Sequence, residues 1–188
     1  MEVVDAIHTR RAKRAISDRP VEDEKIEALV EAARLSASCS NNQPWRIVVA
    51  KGAEALKAVK DGLSKGNVWA TRAPVILAVC AKLDDDCHLS DRRDYFTFST
   101  GLAIGQLLLR ATELGLIAHP IAGYDPLKIK PALGIPDEYV LITLVIVAYY
   151  SGDTSLMSDK QKALEPDRPE RKPVGENFFI DRWGAPFR

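Results

Sequence analysis

Apolar residues recur along this chain in two rhythms. Val3, Val4 and Ile7 stand at helical spacing within residues 2–9. Over 21–36 the face made by Ile26, Leu29, Val30 and Ala33, with acidic residues crowded into the first turn, predicts a second helix. RIVVA (46–50) is a short strand, and a modest helix follows near 53–62. APVILAVCA (73–81) is a strand entered through a proline, and DDDCHLSDRRD after it is a polar loop. From Phe96 to Leu116 the segment FTFSTGLAIGQLLLRATELGL is apolar almost all round, with Arg110 and Glu113 its charges. A helix of that kind, near 94–115, needs burial at the centre of the fold or against another subunit. Gly101 and Gly105 within it favour close helix–helix contact, while Ser99, Thr100 and Gln106 argue against a membrane span. IAHPIAGYDP (117–126) reads as a strand running into a turn, and 127–133 as a short helix. YVLITLVIVAYY (139–150) is too short to cross a bilayer and is rich in β-branched residues, so it is a buried strand. Beyond 150 the rhythm stops. Prolines recur at 166, 169, 173 and 186, charges are dense, and Phe178, Phe179, Ile180, Trp183 and Phe187 form isolated apolar patches. Such a tail is too polar to fold alone and carries aromatics suited to packing on another surface.

Charge adds an exclusion. The 188 residues hold 26 Lys and Arg against 26 Asp and Glu, so the overall balance points to neither nucleic acid nor an anionic membrane. Three cysteines, Cys39, Cys80 and Cys87, form no framework spacing, which favours a reducing, cytoplasmic setting. Cys80 and Cys87-His88 lack zinc spacing, so no metal site is expected. MEVVDAIHTRR has acids before its basic residues and no apolar core, unlike a secretory leader.

Two stretches carry candidate chemistry. Arg10, Arg11, Lys13 and Arg14 follow the first helix. They suit a solvated helix end, or a phosphate clamp in which planar guanidinium forks match phosphate oxygens. SASCSNNQPWR (36–46) packs hydroxyl, thiol and amide groups ahead of a tryptophan, with no charge before Arg46. A capped helix end explains one or two of these residues. A rigid run of uncharged donors and acceptors, with Pro44 holding Gln43 extended, suits the edge of a planar polar heterocycle. Together the two stretches suggest a phosphorylated planar cofactor. Neither G-x-x-x-x-G-K-[ST] nor a G-x-G-x-x-G after a strand occurs, so a P-loop or a Rossmann site is excluded. Cys39 could instead be a nucleophile served by His8, His88 or His119, although no family signature surrounds it.

These stretches, in order, resemble the FMN-dependent nitroreductase family. Arg10-Arg11-Ala12-Lys13-Arg14 is similar to its R-R-S-x-R element, and Ser36 to Trp45 to its A-P-S-S-x-N-x-Q-P-W loop. Ala111 to Leu116 resembles its A-x-x-L-G-L segment, and Pro120 to Tyr124 its turn before L-G-I-P, here Leu133 to Pro136. Arg171-Lys172-Pro173 through Arg182-Trp183-Gly184 resembles its terminal R-x-P and R-W elements.

The resemblance implies an α+β fold. It would be a three-layer sandwich, with a mostly antiparallel sheet flanked by helices and a C-terminal arm exchanged in a homodimer. Residues 1–150 would form the FMN-binding core, and 151–188 an extension packed on the partner, within one domain overall. FMN would lie at the interface. Arg10, Arg11, Ala12, Arg14 and Arg171 would surround its phosphate and ribityl chain. Ala37, Ser38, Cys39, Asn41 and Gln43 would line the ring, partly from the second subunit. Asn67 would meet the flavin edge, and the backbone of Pro120, Ile121, Ala122 and Gly123 would approach its reactive side. The implied activity is ping-pong transfer of electrons from NADH or NADPH, through FMN, to a small organic acceptor such as a nitroaromatic or a quinone. The flavin carries the chemistry, with no side-chain catalyst named. Alternatives are an FMN carrier or sensor, an enzyme that consumes flavin, and a Cys39 hydrolase. Ala12, Ala37 and Cys39 replace Ser, Pro and Ser of the family pattern, and Tyr149-Tyr150 stand where a Gly is common.

Overall fold

In a computed structural model, residues 1–187 are described; Arg188, the last residue of the expected extension, lies outside them. Four strands form one antiparallel sheet: β1 (Arg46–Ala50), β2 (Val75–Ala81), β3 (Ile117–Ile121) and β4 (Val140–Ala148). Their order is β1-β2-β4-β3. The two central strands read as unbroken apolar runs because both of their faces are covered. The alternation of side chains then sorts one sequence into two cores. Val75, Leu77 and Val79 of β2 join Val145 and Val147 of β4 on one face, against Ile26, Leu29, Ala103 and Leu107. Ile76 and Ala78 join Leu144 and Ile146 on the other, with Val59, Trp69 and Ile129. Ile76, Leu77, Leu144 and Ile146 are 2 % exposed or less. Full burial of each such side chain contributes about 1.5–3 kcal/mol.

Helices complete the sandwich. α1 (Val3–Thr9), α2 (Asp23–Arg34) and α4 (Tyr95–Glu113) pack together, with α2 and α4 supplying one core. α3 (Ala53–Asp61) and α5 (Pro126–Ala132) cover the other face. The expected boundaries fall within a few residues of these. α4 is less enclosed than its composition suggests. Ala103, Ile104, Leu107 and Ala111 are buried, whereas Phe98 and Leu102 are exposed, and a Cβ built on Gly101 or Gly105 would meet no atom within 4 Å. No described helix is long and apolar enough to cross a membrane.

Residues 151–187 hold more structure than the sequence reading gave them. α6 (Asp159–Leu164) starts at a capping box in which Ser158 and Gln161 satisfy each other's backbone N–H groups. A short α7 (Val174–Asn177) follows. Residues 178–187 then fold back on themselves, with the Ile180 N–H donating to the Ala185 carbonyl at 2.8 Å and the Phe187 N–H to the Phe178 carbonyl at 2.8 Å. The cysteine reading is corrected as well. Cys39 and Cys87 form a disulfide across 48 residues, and Cys80 is the buried free thiol. The inference of a reducing compartment from unpaired cysteines loses its basis.

Candidate functional site

The chain leaves α1 at Arg10 and passes the side chain of His119 in β3 before Ile16 bridges Tyr150 beyond β4. Along this stretch Arg10, Arg11, Ala12 and Arg14 line a cavity of about 230 Å³ together with Leu164, Arg168, Pro169 and Arg171. Five guanidinium groups face one space. Among the described residues none of the five pairs with a carboxylate within 4.0 Å, although fifteen ion pairs occur elsewhere. Burial, and then the charges of Arg168, Arg171 and Arg11, push Arg10 below its ordinary pKa. A cavity in which cations repel one another is built to receive an anion.

A carboxylate beside the cavity, that of Glu165, is spent on the backbone. Glu165, 4 % exposed, accepts from the Arg14 N–H at 2.9 and 3.1 Å and from the Ala15 N–H at 3.0 Å. Its carbonyl accepts from Lys13 Nζ. Arg168 donates to the carbonyls of His8 and Arg10, each at 2.7 Å. Beneath lies His119, whose Nδ1 meets the Lys13 carbonyl at 3.0 Å, so Nδ1 carries the proton. The His119 ring stacks on Trp69 with centroids 4.8 Å apart. Burial holds His119 down to about 4, and it is neutral at physiological pH. The segment 7–15 is therefore stapled from the tail above and the sheet below.

A second group of expected residues also meets. The Gly123 carbonyl accepts from Asn67 Nδ2 at 2.8 Å and from the Ser64 N–H at 3.0 Å. A Cβ on Gly123 would lie 2.5 Å from Ser64 Oγ and 2.6 Å from Asn67 Nδ2, so only glycine admits this approach. Pro120 and Ile121 belong to β3 and Ala122 follows it, joining this turn to His119.

The loop 36–46 lies elsewhere. It precedes β1, whereas Lys13 is bonded to His119 of β3, at the opposite edge of the sheet. Three strand spacings separate these edges, about 14 Å. Ala37, Ser38, Cys39, Asn41 and Gln43 contribute nothing to the arginine cavity. Ser38 Oγ accepts from the Gln43 N–H at 2.9 Å, and Gln43 Nε2 donates to the Asn41 carbonyl at 3.1 Å. Gln43 is not extended as its proline neighbour predicts. Its φ is 50°, and Ser40 and Asn41 have φ of 48° and 60°. Closing the loop onto Ser38 overrides the preference before proline. Cys39, tied to Cys87, offers neither a free nucleophile nor an S–H donor.

The nitroreductase family profile matches residues 7–149. This chain belongs to the nitroreductase family. Among relatives, it is 30% identical over 176 residues to an Archaeoglobus fulgidus protein named as an NADH dehydrogenase/NAD(P)H nitroreductase, covering 91% of this chain and 98% of that one. It is 26% identical over 170 residues to the FMN reductase [NAD(P)H] of Bacillus subtilis, covering 82% and 68%. A crystal structure described as an oxidoreductase containing FMN superposes with a TM-score of 0.83 at 28% identity, covering 96% and 92%. Within this nitroreductase fold, the sequence reading found Arg10, Arg11, Arg14 and Arg171 but missed Glu165 and Arg168. Neither residue announces itself, because both act through backbone groups about 150 residues away. The Ser158–Gln161 pair was a readable sign of a helix placing Glu165 nearby.

Proposed function

We propose that this nitroreductase-family protein is an NAD(P)H-dependent oxidoreductase that binds FMN between two copies of the chain and reduces a small organic acceptor. The observation that carries this reading is the five-arginine cavity without a carboxylate partner, sized for a phosphate and its first carbons. Arg10, Arg11, Arg14, Arg168 and Arg171 would hold the phosphate. The Asn67–Gly123 turn would present its remaining amide groups to the ring edge. FMN, when bound, supplies hydride acceptance from the nicotinamide and electron release to the second substrate. The protein's part is anchoring, orientation and exclusion of water; no side chain here is assigned a proton-transfer role. Alternation of the two substrates in one cleft needs no separate nucleotide fold. Nitroaromatics and quinones fit such a cleft, and dependence on a reduced nicotinamide agrees with a cytoplasmic site of action.

Two features support the dimer. Ser38, Asn41 and Gln43 stand across the sheet from the arginines, so a second copy is the source that brings such a loop to the site. Phe98, Gly101, Leu102 and Gly105 form one exposed stripe on α4, where the glycines serve no contact within the subunit. Trp183, 90 % exposed, and Phe178 give the 151–188 extension an apolar surface for the partner.

The test is an anaerobic visible spectrum of the protein with FMN, before and after NADH and then NADPH. Bound flavin that bleaches with either nucleotide is the expected result. Bound flavin that stays oxidised favours a carrier or sensor, and loss of the flavin with oxygen favours a flavin-consuming enzyme. No binding at all defeats the cofactor assignment. Light scattering that finds a folded monomer carrying FMN defeats the dimeric site.

A further inference from the structure

The Cys39–Cys87 bridge ties the loop 36–46 to the polar segment ahead of α4, with Cα atoms 6.0 Å apart, an ordinary span for a disulfide. Three observations make it more than a staple. First, it sits beside Ser40, Asn41 and Gln43, three non-glycine residues with φ of 48°, 60° and 50°. That conformation is unfavourable for each and persists when its surroundings enforce it. Apart from the bridge, residues 38–43 are tied to the body by the Cys39 N–H to Ser99 Oγ at 3.4 Å and by Asn42 Nδ2 to Asp86 Oδ1 at 3.4 Å and Cys87 Sγ at 3.8 Å, while the loop's far end is held by Trp45 packed on the core and by Arg46 paired with Asp85 at 3.3 Å. Second, Asp86 is 8 % exposed and its Oδ2 has no hydrogen-bond partner. One oxygen of this carboxylate and both sulfurs lie within 4.8 Å of one another. A disulfide cannot donate to that carboxylate, whereas a thiol can. Oδ2 has no partner in the oxidised state, and reduction would place two thiol donors beside this carboxylate. Third, both cysteines are half-buried and open to a small thiol, unlike the buried Cys80.

We propose that Cys39 and Cys87 form a reversible thiol–disulfide switch that sets how firmly the loop holds FMN. This rests on the cofactor reading above. Two molecules of a small thiol exchange with the bridge: the Cys39–Cys87 bond breaks, both cysteines gain a proton, and the small thiol leaves as its own disulfide. The reduced loop relaxes from its left-handed turns, and Asn41 and Gln43 are no longer preset. Affinity falls because ordering must then accompany binding.

The experiment uses the full chain, air-oxidised or reduced with dithiothreitol, titrated with FMN by fluorescence quenching. Thiols are counted in parallel by maleimide labelling and intact mass. The expected result is no reactive thiol in the oxidised protein, two in the reduced protein, and FMN binding about tenfold weaker after reduction. Cys87→Ser should bind FMN like the reduced protein and ignore dithiothreitol, while Cys80→Ser should respond like the wild type. If Cys87→Ser fails to fold, the wild-type titration in the two redox states decides alone. FMN binding equal in both states within about twofold leaves the bridge a structural staple and overturns the switch, with the cofactor reading intact. Stoichiometric zinc in the reduced protein overturns it in favour of a metal site on Cys39, Asp86 and Cys87. An oxidised protein that binds no FMN overturns the cofactor reading and the switch together.

Discussion

The arginine cavity and the loop 36–46 are stabilised in opposite ways. Around the cavity the backbone is over-determined. Glu165, Arg168 and His119 spend their polar groups on main-chain atoms of residues 8–15, which frees the remaining guanidinium groups to repel one another. In the loop the side chains mainly bond within the loop itself, the backbone adopts costly dihedral angles, and one covalent bridge restrains the result. The lesson is a division of labour. Where the ligand is a charge, the protein invests in a rigid frame and leaves the charges unsatisfied. On the proposed reading, the neutral edge of the ligand would instead meet donors on a segment restrained mainly by one covalent bridge.

The contrast is open to attack at several points. The largest effect is expected at the frame. Glu165→Ala strands the buried Ala15 N–H and the part-buried Arg14 N–H and should lower stability by about 3 kcal/mol in urea unfolding, with FMN affinity lost alongside. A loss below about 1 kcal/mol would show that the frame is not needed.

Next comes pH. His119 has a folded pKa of about 4, below its ordinary 6.5. The unfolded chain therefore takes up the proton first as pH falls. Stability is complete above about pH 6.5 and declines toward pH 4, by about 3 kcal/mol in all. His119→Asn keeps a donor for the Lys13 carbonyl and should remove most of this slope when urea midpoints are compared at pH 7 and pH 4.5.

The arginines should behave inversely to Glu165. Arg10→Met and Arg171→Met are each expected to weaken FMN binding about tenfold while shifting apo stability by less than about 0.5 kcal/mol. The smallest effect belongs to the loop. Ser40→Gly relieves a positive φ and should stabilise the protein by up to about 1 kcal/mol. No gain in thermal midpoint would mean that the loop is not strained there.

Much of the frame was legible because it depends on periodicity. β2 and β4 announce burial on both faces by unbroken apolar runs, and of the expected α2 face Ile26, Leu29 and Ala33 are buried while Val30 is 45 % exposed. The arginines were legible as a cluster. What was not legible depends on distant partners. Nothing near Glu165 says that its carboxylate is buried, and nothing in the spacing of Cys39 and Cys87 says that they meet. Gln43 failed for a different reason. A local rule about the residue before proline lost to a hydrogen bond from Ser38, which no local rule weighs. Trp69, in an unassigned stretch, became the largest fully buried side chain because its short 3-10 turn tucks it under β3.

That tryptophan gives the molecule a built-in optical probe. Its indole N–H is buried without a partner and its ring lies 4.8 Å from an imidazole that gains a proton near pH 4. An indole so shielded emits toward the blue of the half-buried Trp45 and of Trp183, which is exposed within the subunit. Imidazolium quenches indole emission far better than neutral imidazole does. Selective dimming of the blue edge on acidification would therefore report the charge on a single ring beneath the arginines, with no label attached.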